Sequence, residues 1–348
     1  LAEGTAQFMY PGANFDFWDS HRDMIVRDRI LNDNLLPFEA MNAFGKRGIG
    51  NESIYNQGFL FCSWLVKKYG VEVLKNITDA IGKPLNYSIN QAMRDATEIW
   101  GHALYDMWKN ELNLRYSKKT AHILENEEKG TILISEGTTN IHPVWSPDEN
   151  RFAYLSNQKH DNFGQIDLFI YNLLDSTSQQ IAAGVHTAPS WINDSTIIYT
   201  KRSKPNKFGS KYFDLYIYTF NDKKEERITH DGRLTSPIYN PASNRIAAIT
   251  TYDGTSNIMI AEDIDTNQDS LKFHAITDLV NGMQLFSLSW SQGELYVDGV
   301  FNQGRQIYKV LIESGKLELV TSDNCDNRDQ HEISDGLIYA TDQSGIFN

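Results

Sequence analysis

One segment recurs through the C-terminal two-thirds of the chain. It begins as His142-Pro143-Val144-Trp145-Ser146-Pro147-Asp148. It returns as Ala188-Pro189-Ser190-Trp191, as Ser236-Pro237-Ile238-Tyr239-Asn240-Pro241 and as Ser287-Leu288-Ser289-Trp290-Ser291, with a fainter copy at His331-Glu332-Ile333-Ser334-Asp335-Gly336. The aromatic anchors Trp145, Trp191, Tyr239 and Trp290 stand 46, 48 and 51 residues apart, and Ile333 follows 43 residues later. A period of about 40 to 50 residues filled with short strands is that of propeller blades. The repeat constrains architecture rather than chemistry, because propellers carry many unrelated functions.

Each repeat has the same internal order. The anchor is followed by an apolar strand at 151–156, 196–200, 245–250, 294–298 and 337–341. A third strand alternates with period two at 166–171, 214–218, 258–261 and 307–311. Fourth strands are expected at 179–181, 226–229, 273–277 and 317–321. Four strands per repeat make a blade. An additional strand is expected at 131–135, where it would close a ring by pairing with a blade from the other terminus and so leave no open edge. The expectation is about four blades plus the start of a fifth over residues 130–348, a piece of a ring of six or more.

Residues 1–120 read differently. Helices are expected at 1–10, at 16–31 and, as a short piece, at 37–44, with Gly45, Gly48 and Gly50 marking a loop. The strongest helix spans 53–69, where Tyr55, Gly58, Phe59, Cys62, Leu65, Val66 and Tyr69 keep the spacing of one helical face. Leu60, Phe61 and Trp64 widen that face, so this helix is expected to be buried on most sides. Gly70 ends it, a further helix spans 71–81, Ser88 caps a short one reaching 96, and a last helix covers 97–116. The polar stretch 117–129 is expected to be a linker. The fold class is therefore multidomain, an α segment followed by an incomplete all-β propeller of four-stranded blades.

Hydrophobic residues make up 41% of the 348, with 12% aromatic, which supplies a core and excludes wholesale disorder. The formal net charge of −13 argues against a general nucleic-acid binder. No apolar run approaches the roughly 18 residues that cross a bilayer. Cys62 and Cys325 are the only cysteines, too few for a disulfide framework, and Cys62 lies on an apolar helical face as a small core residue. Both termini read as cut, as in a fragment of a longer protein.

Trp145-Ser146-Pro147-Asp148, then Phe152-Ala153-Tyr154, then Asp167-Leu168-Phe169-Ile170-Tyr171 closely resemble the TolB-type (WD-like) propeller repeat. Glu149 stands where that consensus has glycine. The resemblance spans 131–348 and implies an exported bacterial protein, periplasmic or at the cell surface, whose propeller is a scaffold for protein or peptide contacts. It implies no active site.

Leu1-Ala2-Glu3-Gly4-Thr5-Ala6 resembles the third-ligand motif of gluzincin zinc peptidases, Trp-x-x-Glu-Gly-x-Ala. The segments 55–59, 64–70, 92–101 and Trp108 resemble, in order, the C-terminal helical half of such peptidase-MA-like domains. The resemblance implies a zinc held by Glu3 and two histidines of an H-E-x-x-H helix, with a fourth position for the water that attacks a peptide carbonyl. Small residues at 4 and 6 would let the ligand helix pack closely. Tyr55 is the candidate for a tyrosine that hydrogen-bonds a developing oxyanion; its alternative is a core tyrosine, and that of Glu3 an exposed helical carboxylate. No H-E-x-x-H occurs in the 348 residues. His331-Glu332-Ile333-Ser334-Asp335 carries Asp in the second ligand position and lies in the fifth repeat, a chance likeness. The catalytic glutamate and both histidines are expected before Leu1, so the chain alone is expected to be inactive. The acidic loops at 161–164 and 263–269 read as solvated inter-strand loops, the second lacking the glycine and glutamate of a calcium loop. Two functions follow: part of an exported zinc metallopeptidase with a propeller for substrate or partner, or a non-catalytic envelope protein whose propeller docks partners beside a degenerate peptidase remnant.

Overall fold

The computed structural model describes residues 2–9, 20–42, 44, 45, 50–126, 130–162, 164–265, 271–280, 282–301, 304–323, 325–333 and 336–343. The chain divides into two compact units, Leu1–Gly130 and Thr131–Asn348.

The first unit is helical: α1 (Ala2–Phe8), α2 (Ser20–Leu31), a 3-10 turn at Phe38–Asn42, α3 (Gly50–Tyr69), α4 (Glu72–Ile81), α5 (Ile89–Thr97) and α6 (Gly101–Glu125). Gly50 begins α3 rather than lying in a loop, and Gly48 and residues 16–19 fall outside the described residues. Gly70 takes the left-handed conformation that ends α3 (φ +85°), and its N–H returns to the Val66 carbonyl at 2.8 Å. Ser88 caps α5, its Oγ accepting from the Gln91 N–H at 3.1 Å. Phe61, Cys62, Trp64 and Leu65 are all buried, which only a helix covered on several sides allows. Burial pushes the Cys62 thiol pKa up.

Two boundaries differ from expectation. The break between α5 and α6 falls at residues 98–100, where Glu98 has φ +65° and the Thr97 hydroxyl donates to the Met93 carbonyl at 2.7 Å. The polar stretch from 117 on is not a linker as far as Glu125; it continues α6. Its polarity is that of one face only: Tyr116 and Thr120 are buried, the Tyr116 hydroxyl donates to Asp23 at 2.6 Å, and Lys119 lies 3.6 Å from the same carboxylate. Asp23 of α2 thus holds the second half of α6 in place.

Among the described residues the second unit contains four four-stranded antiparallel sheets and one two-stranded pair, each in simple sequence order. Blade 1 is β1 (Asn140–Trp145), β2 (Arg151–Ser156), β3 (Asp167–Asn172) and β4 (Thr177–Ala182). Blade 2 is β5 (Ser190–Asn193), β6 (Thr196–Arg202), β7 (Phe213–Thr219) and β8 (Lys224–Arg227). Blade 3 is β9 (Leu234–Asn240), β10 (Arg245–Tyr252), β11 (Thr255–Ala261) and β12 (His274–Ala275). Blade 4 is β13 (Gln284–Ser291), β14 (Glu294–Val300), β15 (Arg305–Leu311) and β16 (Lys316–Leu319), and β17 (Asn327–Ile333) with β18 (Gly336–Thr341) begins a fifth. The first strands β1, β5, β9, β13 and β17 touch in succession, which is how blades stand around a propeller axis. The architecture is the expected one: a helical segment followed by propeller blades.

Alternation along the second strand of each blade decides which neighbour is met, because successive side chains point to opposite faces. In β6, Ile197 and Tyr199 join Ala153 and Leu155 of blade 1, whereas Ile198 joins Ile246 and Ala248 of blade 3. In β10, Ala247 and Ile249 face Leu295 and Val297 of blade 4. The anchors peg these junctions together. The Trp191 indole N–H donates to the Val144 carbonyl at 3.0 Å, that of Trp290 to the Ile238 carbonyl at 3.4 Å, and the Tyr239 N–H to Ser190 Oγ at 3.0 Å. Among the described residues Trp145 makes no such junction; it is 55% exposed and packs edge-on against Phe152 of its own blade.

The segment 131–135 is not a strand. Among the described residues no sheet edge reaches it, and an extended segment without a partner cannot satisfy its backbone groups by pairing. Instead Ile134 covers the aromatic face made by Phe152, Tyr154, Phe169 and Tyr171.

In blades 2 to 4 the fourth strands stop short of the expected ends for a repeated reason, whereas β4 runs one residue past its expected end. A threonine leaves the ladder and its hydroxyl takes over: Thr229, Thr277 and Thr321 Oγ1 accept from the N–H groups of Leu215, Ile258 and Ile307 at 2.9, 2.8 and 3.0 Å. Each hydroxyl then donates to a side chain near the start of the third strand, namely Asp214, Asn257 and Gln306. The same Asp214 and Asn257 oxygens accept from Gly232 and Leu279 N–H in the connection to the next blade. These polar latches fix where each blade hands over to its successor.

Candidate functional site

The sequence motif around Glu3 forms α1, and α1 lies against α3 at a contact that only glycine allows at position 4. A Cβ on Gly4 would stand 2.7 Å from the Gly58 Cα and nearer still to its carbonyl group. One turn on, Thr5 Oγ1 and Cys62 Sγ are 3.7 Å apart. Gly4 therefore serves the packing on α3, whereas Ala6 is exposed. Glu3 itself is partly buried and, among the described residues, has neither a hydrogen bond nor an ion pair.

Tyr55 is also partly buried and lies one turn before Gly58 on α3, with its ring 5.7 Å from that of Phe44. Glu3 and Tyr55 thus belong to the two helices of one contact. Among the described residues no three His, Cys, Asp or Glu side chains gather in a way that could hold a metal. The residues present fit a zinc site as one carboxylate donor of three, and no reaction step follows from one donor. His331 lies in β17 opposite Ile338, and the neighbouring Glu332 accepts from the Gln292 N–H at 2.7 Å, so residues 331–333 are strand, and 334 and 335 lie outside the described residues. Residues 163 and 266–270 of the two acidic loops lie outside the described residues.

In the propeller, the first strands share a bulge that the sequence reading missed. It falls at residues 142–143, 236–237, 286–287 and 329–330, and His142, Ser236 and Asp329 there have φ of 55°, 51° and 54°. Proline is tolerated at 143 and 237 because a bulge interrupts the ladder that its missing N–H would otherwise break. The signal was in the sequence, as the proline two residues before the anchor. The bulges carry side chains from blade to blade: the Ser236 N–H donates to Thr187 Oγ1 at 3.1 Å and its hydroxyl to the Phe286 carbonyl at 2.8 Å. Arg305 lies 4.2 Å over the Phe286 ring, pairs with the fully buried Asp298 at 2.7 Å and reaches Asp329 at 3.8 Å. Crowding by surrounding atoms holds the His142 imidazole below its usual pKa, against an opposing pull from Asp329. This rim offers hydrogen bonds, one cation and carboxylates.

No protein-family profile matches the chain. The Tol-Pal system protein TolB of Ruthia magnifica is 33% identical over 96 residues, 26% of this chain. The chain's match spans 20% of that protein's length. TolB from Acinetobacter baumannii superposes with a TM-score of 0.45 at 14% identity, over 63% of this chain and 56% of that one. The propeller domain of the Pyrococcus furiosus trilobed protease gives 0.45 at 12% identity, over 59% and 62%. Hydrazine synthase of Kuenenia stuttgartiensis gives 0.48 at 14%, over 64% and 38%. The sequence likeness makes the propeller TolB-like, and its architecture rests on the chain's own strand order. No helix among the described residues is long and apolar enough to cross a membrane.

Proposed function

We propose that the chain is part of an exported bacterial zinc metallopeptidase, periplasmic or at the cell surface. The helical unit is the C-terminal half of a gluzincin-like catalytic domain, and the propeller binds the protein or peptide to be cut. The observation that supports this reading is the half-buried Glu3 carboxylate, unpaired among the described residues, on a helix held to α3 by the Gly4–Gly58 contact. A ligand must be held in place by rigid neighbours, and a backbone-to-backbone helix contact is a rigid one. Zinc would supply Lewis acidity and an acidified water. Glu3 would hold it together with two imidazoles from sequence outside these residues, and Tyr55 would stand near as a hydrogen-bond donor.

The test is metal content in the full-length parent protein. About one zinc per chain is expected, lost in Glu3→Ala; unchanged zinc in that variant sinks the ligand assignment. A second reading keeps the propeller as a partner-binding module without catalysis. It is favoured by the sequence likeness to the Tol-Pal system protein TolB over 96 residues. A parent protein that binds no zinc yet still retains protein partners would establish it.

A further inference from the structure

In a chain of net charge −13, residues 201–212 carry five cations and no acid: Lys201, Arg202, Lys204, Lys207 and Lys211. The segment runs from the end of β6 through the loop to β7. Lys201 is committed to Glu225 at 2.5 Å within its own blade. Among the described residues Arg202, Lys204, Lys207 and Lys211 have no carboxylate partner, and all four are exposed.

The loop is fixed to the face of the propeller rather than hanging from it. Asn206 closes a turn, its side chain accepting from Phe208 and Ser210 N–H at 2.9 and 3.1 Å, and its amide reaches Asp231 of the next connection at 3.4 Å. Arg233, in that same connection, donates to the Tyr212 hydroxyl at 3.0 Å and lies 4.3 Å over the Tyr212 ring and 5.2 Å from that of Tyr252 in blade 3. Arg202 lies 5.0 Å over Phe213, and His186 meets the edge of the same ring at 5.1 Å. Lys207 lies 4.9 Å over Phe208, which is 79% exposed, as Tyr252 is 67%. Rings that back the guanidinia hold their forks in place without neutralising them. Asp231, in the connection that carries Arg233, is already engaged by Asn206 and by Arg227 at 3.6 Å.

We propose that this face of blades 2 and 3 docks a short acidic segment of a partner protein, its carboxylates on Arg202, Arg233 and the loop lysines and its apolar side chains against Phe208 and Tyr252. Unneutralised guanidinia fit carboxylates by their planar fork, and the exposed rings between them fit the apolar residues that peptides intersperse with acids. A long polyanion fits less well. Screening reaches only about 8 Å at physiological salt, so a chain extending beyond the patch meets the acidic remainder of the surface unshielded at close range. The inference rests on the propeller being the binding half of the function proposed above and needs no zinc.

The test is fluorescence anisotropy of a labelled Glu- and Asp-rich peptide of about ten residues with two leucines, extended at roughly 3.3 Å per residue, against the full chain. Binding should weaken at least about tenfold between low and high salt. The triple variant Lys204→Glu, Lys207→Glu, Lys211→Glu should weaken it by a further order of magnitude or so, and the neutral Lys→Gln triple by less. All three positions are exposed loop sites, and unchanged circular dichroism checks that the variants remain folded. Absence of binding, or equal affinity in the charge-reversal triple, overturns the proposal. Polygalacturonate or single-stranded DNA binding as tightly as the peptide also overturns it, by moving the site to another class of partner. Because neither zinc nor proteolysis enters the readout, the result stands apart from the metal test.

Discussion

Replacing Gly4 with alanine puts a methyl group 2.7 Å from the Gly58 Cα and closer still to its carbonyl group. These are backbone atoms in the interior of α3, so no rotamer change relieves the overlap. Ordinary carbon contacts lie at about 3.5–4.0 Å, and α1 would have to move away by roughly an ångström. That separation strips packing along the whole contact, including Thr5 against Cys62. Overpacking of this kind costs about 1–3 kcal/mol, offset by at most about 1 kcal/mol of gained helix propensity. The converse change behaves differently. A Cβ on Gly58 would stand 3.2 Å from the Gly4 Cα and 3.3 Å from its nitrogen, an overlap of tenths of an ångström. There the propensity gain in a helix interior nearly cancels the crowding. The expected order is therefore Gly4→Ala destabilised by about 1–2 kcal/mol and Gly58→Ala within about 0.5 kcal/mol of the parent. Urea unfolding followed at the helical circular-dichroism band, with the slope checked for constancy, reads the difference. Gly58→Ala more destabilising than Gly4→Ala, or both neutral, would refute the glycine-clamp argument and with it the rigidity assigned to Glu3.

Asp214 is fully buried and accepts from Arg227, Thr229 and Gly232. Asp214→Ala should destabilise the propeller by about 3–5 kcal/mol, since a buried pair loses one member, seen as a lowered midpoint in tryptophan-monitored unfolding. Trp191→Phe should cost about 1–2 kcal/mol through the lost peg to Val144 and the area around it, whereas Trp145→Phe, at a 55% exposed position, should stay within about 0.5 kcal/mol. Reversed magnitudes would show that the anchors do not hold the junctions. In the helical unit, burial raises Tyr105 to about 12 and raises Tyr116 as well. A raised tyrosine keeps its proton longer when folded than when unfolded, so its contribution is whole below about pH 10 and is lost as pH rises toward 12. Stability should fall across that window, with tyrosinate absorbance rising together with unfolding; a flat profile would contradict it.

The anchors and their period made the blades legible because burial on both faces forces nearly continuous apolar runs into the second and third strands. The I-T pairs at Ile228-Thr229 and Ile276-Thr277 were visible too, but only the coordinates show why they repeat: the threonine hydroxyl substitutes for a ladder bond and ties down the next connection. The linker expectation for 117–125 failed because exposed residues outnumber the buried Tyr116 and Thr120, and composition does not reveal that Asp23 waits ninety-odd residues upstream in sequence. The strand expected at 131–135 failed because pairing depends on an available edge, which no local pattern encodes.

The site divides along the same line. Glu3 was singled out by its motif, yet its half-burial, and the fact that Gly4 is small for the sake of Gly58, are properties of two helices far apart in sequence. The cations of 201–212 could be counted from the sequence, but charge alone does not separate a solvated loop from a docking face. Distances from Arg233 to Tyr212 and Tyr252 separate them. The sequence by itself determined the four-stranded repeat, the strand order within it and the helix faces, because each follows from the local pattern of burial. Tertiary structure alone decided which carboxylates and cations remain unpaired, because pairing is settled between segments that meet only when the chain is folded.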